Sequence, residues 1–348
     1  MEKSALTIPV IDPFGIAADP KMSFLANALD PPQAERRLNR HLPGLTRDNG
    51  RIRLRTIRVT RYKPGRRCLI EYDVELDQCD ACLQTLVGKA SASGRSSSSY
   101  DLAKTLSDSG FASDSEDGIS VPEPIGIIPE FQMWFQQKVP GVASTHLLAG
   151  GDGVRLAPRI AEAIHKLHRK GIRAHRRHTM ADELGILHER LSLVAEMRPQ
   201  WAERLARLLV SCDRLCASTP APSPCGIHRD FYADHVIVDG PRLYLLDFDL
   251  YCEGDPGLDV GNFLGHLVEQ SLRALGDPNA LSDRAEALEE RFLDLSGDST
   301  RAAIRAYTML TLVRHIHVST QFPERRRFTE RLLELSEELL EAKHWRAR

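Results

Sequence analysis

The residues best suited to chemistry lie between positions 228 and 249. There His228-Arg229-Asp230-Phe231-Tyr232-Ala233-Asp234-His235 is followed by two short apolar runs and then by Asp247-Phe248-Asp249. Val236 to Val238 reads as one strand and Leu243 to Leu246 as a second, and Asp239-Gly240 between them signals a tight hairpin turn. A hairpin folds back on itself, so Asp230 before it and Asp247 after it end near one another. Two carboxylates so arranged suit phosphoryl transfer: one orients a hydroxyl nucleophile and accepts its proton, while the other holds a metal ion that neutralises phosphates. Taken singly, a His-Arg-Asp triplet is common and an Asp at a strand end is an ordinary turn former. Order and spacing together carry the reading.

This stretch resembles the aminoglycoside phosphotransferase and choline kinase family, distant relatives of protein kinases. That family's loop reads His-x-Asp-x-x-x-x-Asn, and its metal strand ends in Asp-Phe-Gly or Asp-Phe-Asp. Gly254-Asp255-Pro256 and Asp259 resemble the Gly-Asp-Pro-x-x-Asp segment that follows. The resemblance covers roughly residues 50 to 320. It implies a two-lobed protein-kinase-like fold of the α+β class, with an antiparallel sheet and one helix in the N-lobe and a mainly helical C-lobe. It also implies that Asp230 is the catalytic base, that His228 braces the loop, that Asp247 is the metal ligand and that Asp249 offers a second metal contact. Position 235 departs from the pattern, with His in place of the metal-binding Asn. His235 is therefore a candidate ligand, and an imidazole nitrogen suits Mn2+ better than Mg2+, which prefers oxygen.

The elements that must position these groups begin with strand-like runs at Arg53 to Tyr62, Cys68 to Leu76 and Thr85 to Ala90, an antiparallel meander. The loop Lys63-Pro64-Gly65-Arg66-Arg67 lacks the Gly-x-Gly-x-x-Gly of protein kinases. In the kinase-like reading it lies over the triphosphate of ATP, with Lys63, Arg66 and Arg67 as phosphate contacts; an ordinary basic hairpin turn has the same composition. By resemblance Lys89, on the third strand, pairs with the phosphates, although a solvent-facing strand lysine reads identically. Its usual glutamate partner is not evident. Asp101, on a helix expected from Tyr100 to Ser109, is a substitute or merely a charge favoured by the helix dipole. Strands at Ile125 to Ile128 and Phe131 to Val139 follow, and Trp134 to Gly141 resembles the family's hinge, where backbone groups near Gln137 and Val139 bind the adenine edge.

At 348 residues the chain exceeds the size that one core usually serves. The reading is an N-terminal extension over 1–50, irregular to 22 with one helix from 23 to 41, then a nucleotide-binding N-lobe over 51–139 and a catalytic, substrate-binding C-lobe over 140–348. A formal charge of −2 gives no broad electrostatic case for nucleic acid, no window has the apolar length of a membrane span, and the N-terminus lacks a targeting pattern. A soluble, cytoplasmic protein is expected. Seven cysteines in an odd count read as reduced thiols, and Cys79-Asp80-Ala81-Cys82 has zinc-ligand spacing without the second pair that a tetrahedral site needs. In the C-lobe, Leu156, Ile160, Ile164 and Leu167 form one helical face that stops at Gly171, with His168 as a structural residue. Further helices are expected over Ile304 to Val318 and from Pro323 onward.

The activity implied is transfer of the ATP γ-phosphate, with Mg2+ or Mn2+, to a hydroxyl of a small-molecule acceptor: a sugar-like metabolite or an antibiotic. The alternative is a pseudokinase or nucleotide-binding scaffold, which would account for His235 and the missing helix glutamate. A protein kinase is disfavoured, because no Ala-Pro-Glu segment follows Asp247 and the interval to Asp259 is short. Arg173, His175 to His178, Arg305, Arg314, His315 and His317 suggest basic walls and a neutral or anionic acceptor. The acidic run Asp283 to Asp298 argues the other way.

Overall fold

Along the first long strand Ile52, Leu54, Ile57 and Val59 are buried, and the period of two changes phase at a bulge between Leu54 and Thr56. That inward row seeds the core of the first of two units, Met1–Pro140 and Gly141–Arg348. The computed structural model describes residues 8–46, 50–77, 82–220 and 223–342. In chain order the first unit contains β1 (Val10–Ile11), α1 (Leu25–Leu29), α2 (Pro31–His41), β2 (Ile52–Lys63), β3 (Arg67–Leu76), β4 (Cys82–Ser91), α3 (Ser96–Leu106), β5 (Ile119–Ser120), β6 (Pro124–Ile128) and β7 (Met133–Gln137). Six of its strands form one sheet in the order β1-β2-β3-β4-β7-β6, antiparallel except where β1 runs parallel to β2.

The segment expected to be an irregular extension is built into this core. Ile16, Met22, Leu25, Ala28, Ala34 and Leu38 are fully buried against the sheet residues. The single helix expected over 23–41 is two, because Asp30-Pro31-Pro32 interrupts it: the Asp30 side chain caps α2 by accepting from the Gln33 amide, with Pro31 at the first helical position. Cys79, Asp80 and Ala81 of the candidate zinc motif lie outside the described residues. Cys68, Cys212, Cys216, Cys225 and Cys252 are free thiols. The helix expected from Tyr100 starts a turn earlier, since α3 already begins at Ser96.

The second unit contains β8 (Val142–Ala143), α4 (Ser144–Leu148), α5 (Gly153–Arg169), α6 (Met180–Met197), α7 (Ala202–Ala217), β9 (Cys225–Ile227), β10 (Val236–Asp239), β11 (Arg242–Leu245), β12 (Cys252–Gly254), α8 (Pro256–Gln270), α9 (Ser282–Ser296), α10 (Arg301–Gln321) and α11 (Thr329–Glu341). β8, β10 and β11 are antiparallel neighbours, and β9 pairs with β12. The hairpin forms one residue later than its signal. Asp239 pairs with Arg242, leaving Gly240 (φ +54°) and Pro241 as the turn. α8 lies tightly on α10 because Gly257, Gly261 and Gly265 line the contact. A Cβ at these three positions would come within 2.9, 2.6 and 2.7 Å of atoms on α10. No described helix is long and apolar enough to cross a membrane.

Candidate active site

β9 delivers the chain into the His228-Arg229-Asp230 loop, and α8 holds it there. The amides of His228 and Arg229 donate to the carboxylate of Asp259 at 2.8 and 2.6 Å, and His168 Nε2 donates to the same carboxylate at 2.8 Å. Asp259 is fully buried, so without those three donors its charge would be costly to desolvate. Arg229 takes up a left-handed backbone, φ +70°, in this grip. The next side chain, Asp230, is left 40% exposed. His168 is thus the structural residue that its place on the helix suggested.

His228 is also fully buried, and its Nε2 donates to the carbonyl of Leu246 at 2.7 Å, tying the loop to the end of the strand before Asp247. Asp247 itself has φ +60°. His235 joins the two carboxylate-bearing segments. Its Nδ1 lies 2.7 Å from the carbonyl oxygen of Asp230, and a carbonyl can only accept, so Nδ1 carries the proton and Nε2 the lone pair. That Nε2 stands 3.7 Å from Asp247 Oδ2. Burial, reinforced by the neighbouring His228, holds the His235 pKa below the ordinary histidine value.

This donor set fits a metal ion in part. Adjacent ligands of an octahedral ion at about 2.1 Å stand about 3 Å apart, a spacing that His235 and Asp247 reach with a small side-chain movement. The bond from Nδ1 to a backbone carbonyl is the usual way a ligating imidazole is oriented. Asp249 is exposed, and Arg176 donates to its carbonyl at 2.7 Å. Among the described residues no three His, Cys, Asp or Glu side chains are grouped as a metal site.

A second brace was not legible beforehand. Asn262 on α8, fully buried, donates from Nδ2 to the carbonyl of Phe231 at 2.9 Å. Its Oδ1 accepts from Arg314 Nη2 at 2.5 Å and from Thr311 at 3.3 Å, which fixes the amide's orientation. Arg314 also donates to Glu183 at 3.1 Å, and His178 donates to Glu183 at 2.6 Å. The expected basic wall is accordingly much reduced. Arg314 and His178 are spent on Glu183, and Arg177 pairs with Glu253. Burial pushes the pKa of His317 down and that of His315 down to about 3.

Within the first unit, Lys89 occupies β4 directly opposite Trp134 on β7. Asp101 is exposed on α3, and no ion pair joins it to Lys89. The basic loop is a tight turn around Gly65, φ +61°. The Gly65 amide and the Tyr62 hydroxyl both donate to Asp19 at 2.7 Å, and the tyrosine's hydrogen bond is the chief reason the Asp19 pKa lies below the ordinary carboxylate value. Arg66 is exposed, whereas Lys63 and Arg67 are half-buried. At the hinge-like end of β7 the Gln137 amide donates to Glu123 O at 2.9 Å, and Val139 lies just past the strand.

The strands, helices and loop anchors together define a two-lobed, protein-kinase-like α+β fold. The chain belongs to the Phosphotransferase enzyme family (APH), whose model matches residues 100–307. It is thus a small-molecule phosphotransferase by family. Among solved structures, a choline/ethanolamine kinase family protein from Mesorhizobium loti is similar at 13% identity with a TM-score of 0.57, over 83% of this chain and 90% of that one. A thermostable mutant of aminoglycoside phosphotransferase APH(4)-Ia, in ternary complex with AMP-PNP and hygromycin B, is similar at 15% identity and a TM-score of 0.57, over 89% of this chain and 99% of that one. An ethanolamine kinase from Plasmodium vivax is similar at 11% and 0.52, over 84% of both. No curated protein matches in sequence.

Proposed function

We propose that the protein transfers the γ-phosphate of ATP to a hydroxyl of a small metabolite or antibiotic. The observation that carries this reading is His235, which holds the Asp230 carbonyl with one nitrogen and faces Asp247 with the other. Asp230, exposed and held from behind by Asp259 and Asn262, orients the acceptor hydroxyl and takes its proton as the oxygen bonds to phosphorus and ADP departs. His228 keeps that loop against the strand end. Asp247 and His235 would hold a Mg2+ or Mn2+ ion, whose role is to neutralise phosphate charge, with the remaining coordination from phosphate oxygens and water. Lys89, Lys63, Arg66 and Arg67 meet the phosphates. Because the Gln137 amide is already used, that residue offers its carbonyl to the adenine edge, beside the backbone of Val139.

The acceptor is a hydroxylated molecule of the sugar or aminoglycoside kind, and with Arg314, His178 and Arg177 paired to carboxylates the basic wall is a weaker guide to its charge. A nucleotide-binding scaffold without transfer is the second reading, favoured because no carboxylate among the described residues of the first unit pairs with Lys89. The test is metal-dependent ADP release across a panel of sugars, amino alcohols and aminoglycosides, with Asp230→Asn as control. Turnover above that control supports the kinase; nucleotide binding with no turnover on any acceptor supports the scaffold.

A further inference from the structure

A phosphate-binding lysine in a kinase-like sheet is ordinarily steadied by a glutamate from the neighbouring helix. Here α3 turns Ser96, Ala103 and Leu106 inward, and its acidic residue Asp101 is exposed. Among the described residues of this unit no carboxylate pairs with Lys89. What Lys89 meets is an indole ring. The register of β4 and β7 sets Lys89 opposite Trp134, and Nζ lies 5.0 Å from the ring centroid. The ring is only 6% exposed and so has a fixed position. Gly88 beside Lys89 leaves room for Met133 and Phe135, since a Cβ there would stand 2.2 Å from the Met133 sulfur.

We propose that Trp134 is the positioning residue for Lys89, holding its ammonium by cation–π attraction where related folds use a carboxylate. The difference has a chemical consequence. A carboxylate cancels the lysine's charge as it holds it, whereas the indole quadrupole orients the cation and leaves the full charge for the nucleotide's phosphates. Loss of the ring should therefore weaken only those nucleotides that carry phosphate.

This inference rests on the reading of Lys89 as a phosphate contact, and calorimetry of ATP, ADP and adenosine separates the two. Lys89→Ala should lose about tenfold or more in affinity for ATP and ADP and leave adenosine unchanged; if it does not, the reading of Lys89 fails. Trp134→Leu should show the same selective pattern at about five- to tenfold, with Trp134→Phe within about threefold of the parent. A selective Lys89→Ala combined with a Trp134→Leu that weakens all three ligands equally, or none, overturns the role of Trp134. Fluorinated tryptophans at position 134, in a Trp201→Phe, Trp345→Phe background, keep the ring's shape while draining its face. ATP affinity should fall stepwise with fluorine count, and a flat series overturns the proposal even if Trp134→Leu does not fold.

Discussion

His235 faces Asp247 across 3.7 Å with its lone pair, because its other nitrogen is committed to the carbonyl of Asp230. One imidazole thereby couples the backbone of the proposed base to the carboxylate of the proposed metal ligand. An asparagine in its place would present an amide oxygen, a harder donor. The substitution thus changes the donor chemistry while leaving the loop and hairpin in register.

From this follows a metal preference. Magnesium favours oxygen ligands in a strict octahedron, and manganese accepts imidazole nitrogen more readily. Mn2+ should support turnover at least as well as Mg2+ in the parent, and His235→Asn should shift the preference toward Mg2+. Rates measured across both metals will check it; identical profiles in the two proteins would exclude His235 as a ligand.

The two carboxylates should separate cleanly by substitution. Asp230→Asn keeps the loop anchors and removes only the proton acceptor, so turnover should fall by roughly 10²- to 10⁴-fold with nucleotide affinity intact. Asp247→Ala should instead weaken metal-dependent nucleotide binding, read by calorimetry with and without Mg2+. Parent-like turnover of Asp230→Asn would refute the assignment.

The main parts of the site were legible because they are local. The two Asp residues flank one hairpin, and Asp259 follows at a fixed interval, so order along the chain stands in for proximity. Asn262 and its bond to Arg314 were not legible, since the two are 52 residues apart and meet only because the glycine face of α8 seats that helix on α10. Asp19 was hidden for the same reason: it reaches Gly65 from 46 residues away, in a segment whose prolines and glycines resemble a loose tail. Trp134 gave a visible hinge-like signal, but its pairing with Lys89 depends on strand register, which composition does not fix.

Asn262 offers a test of remote positioning. Replacing it by Leu takes the donor from the buried Phe231 carbonyl and leaves Arg314 with Glu183 alone of its two side-chain anchors, and the loop can then shift. Displacements of about 1 Å at a reacting group cost on the order of 10²-fold. Turnover in Asn262→Leu should therefore fall by about that factor with the Kd for ATP unchanged. Equal losses in binding and turnover would mean general unfolding rather than misplacement of Asp230.

Asp255 carries the pH prediction. It caps α8 by accepting from the Gly257 amide at 2.8 Å, and burial raises its pKa to about 6, well above the ordinary carboxylate value. The folded state therefore binds a proton that the unfolded chain releases near pH 4, and the sign follows. Asp255 favours folding below pH 4, and that contribution is lost as pH rises from about 4 through 6. With the group partly buried, the swing is on the order of 2 kcal/mol. Asn caps a helix about as well as Asp and does not titrate. Asp255→Asn should thus match the parent at pH 4 and exceed it in denaturant midpoint at pH 7, with the gap opening between those values. A constant difference across that range would show that Asp255 titrates normally in the folded protein.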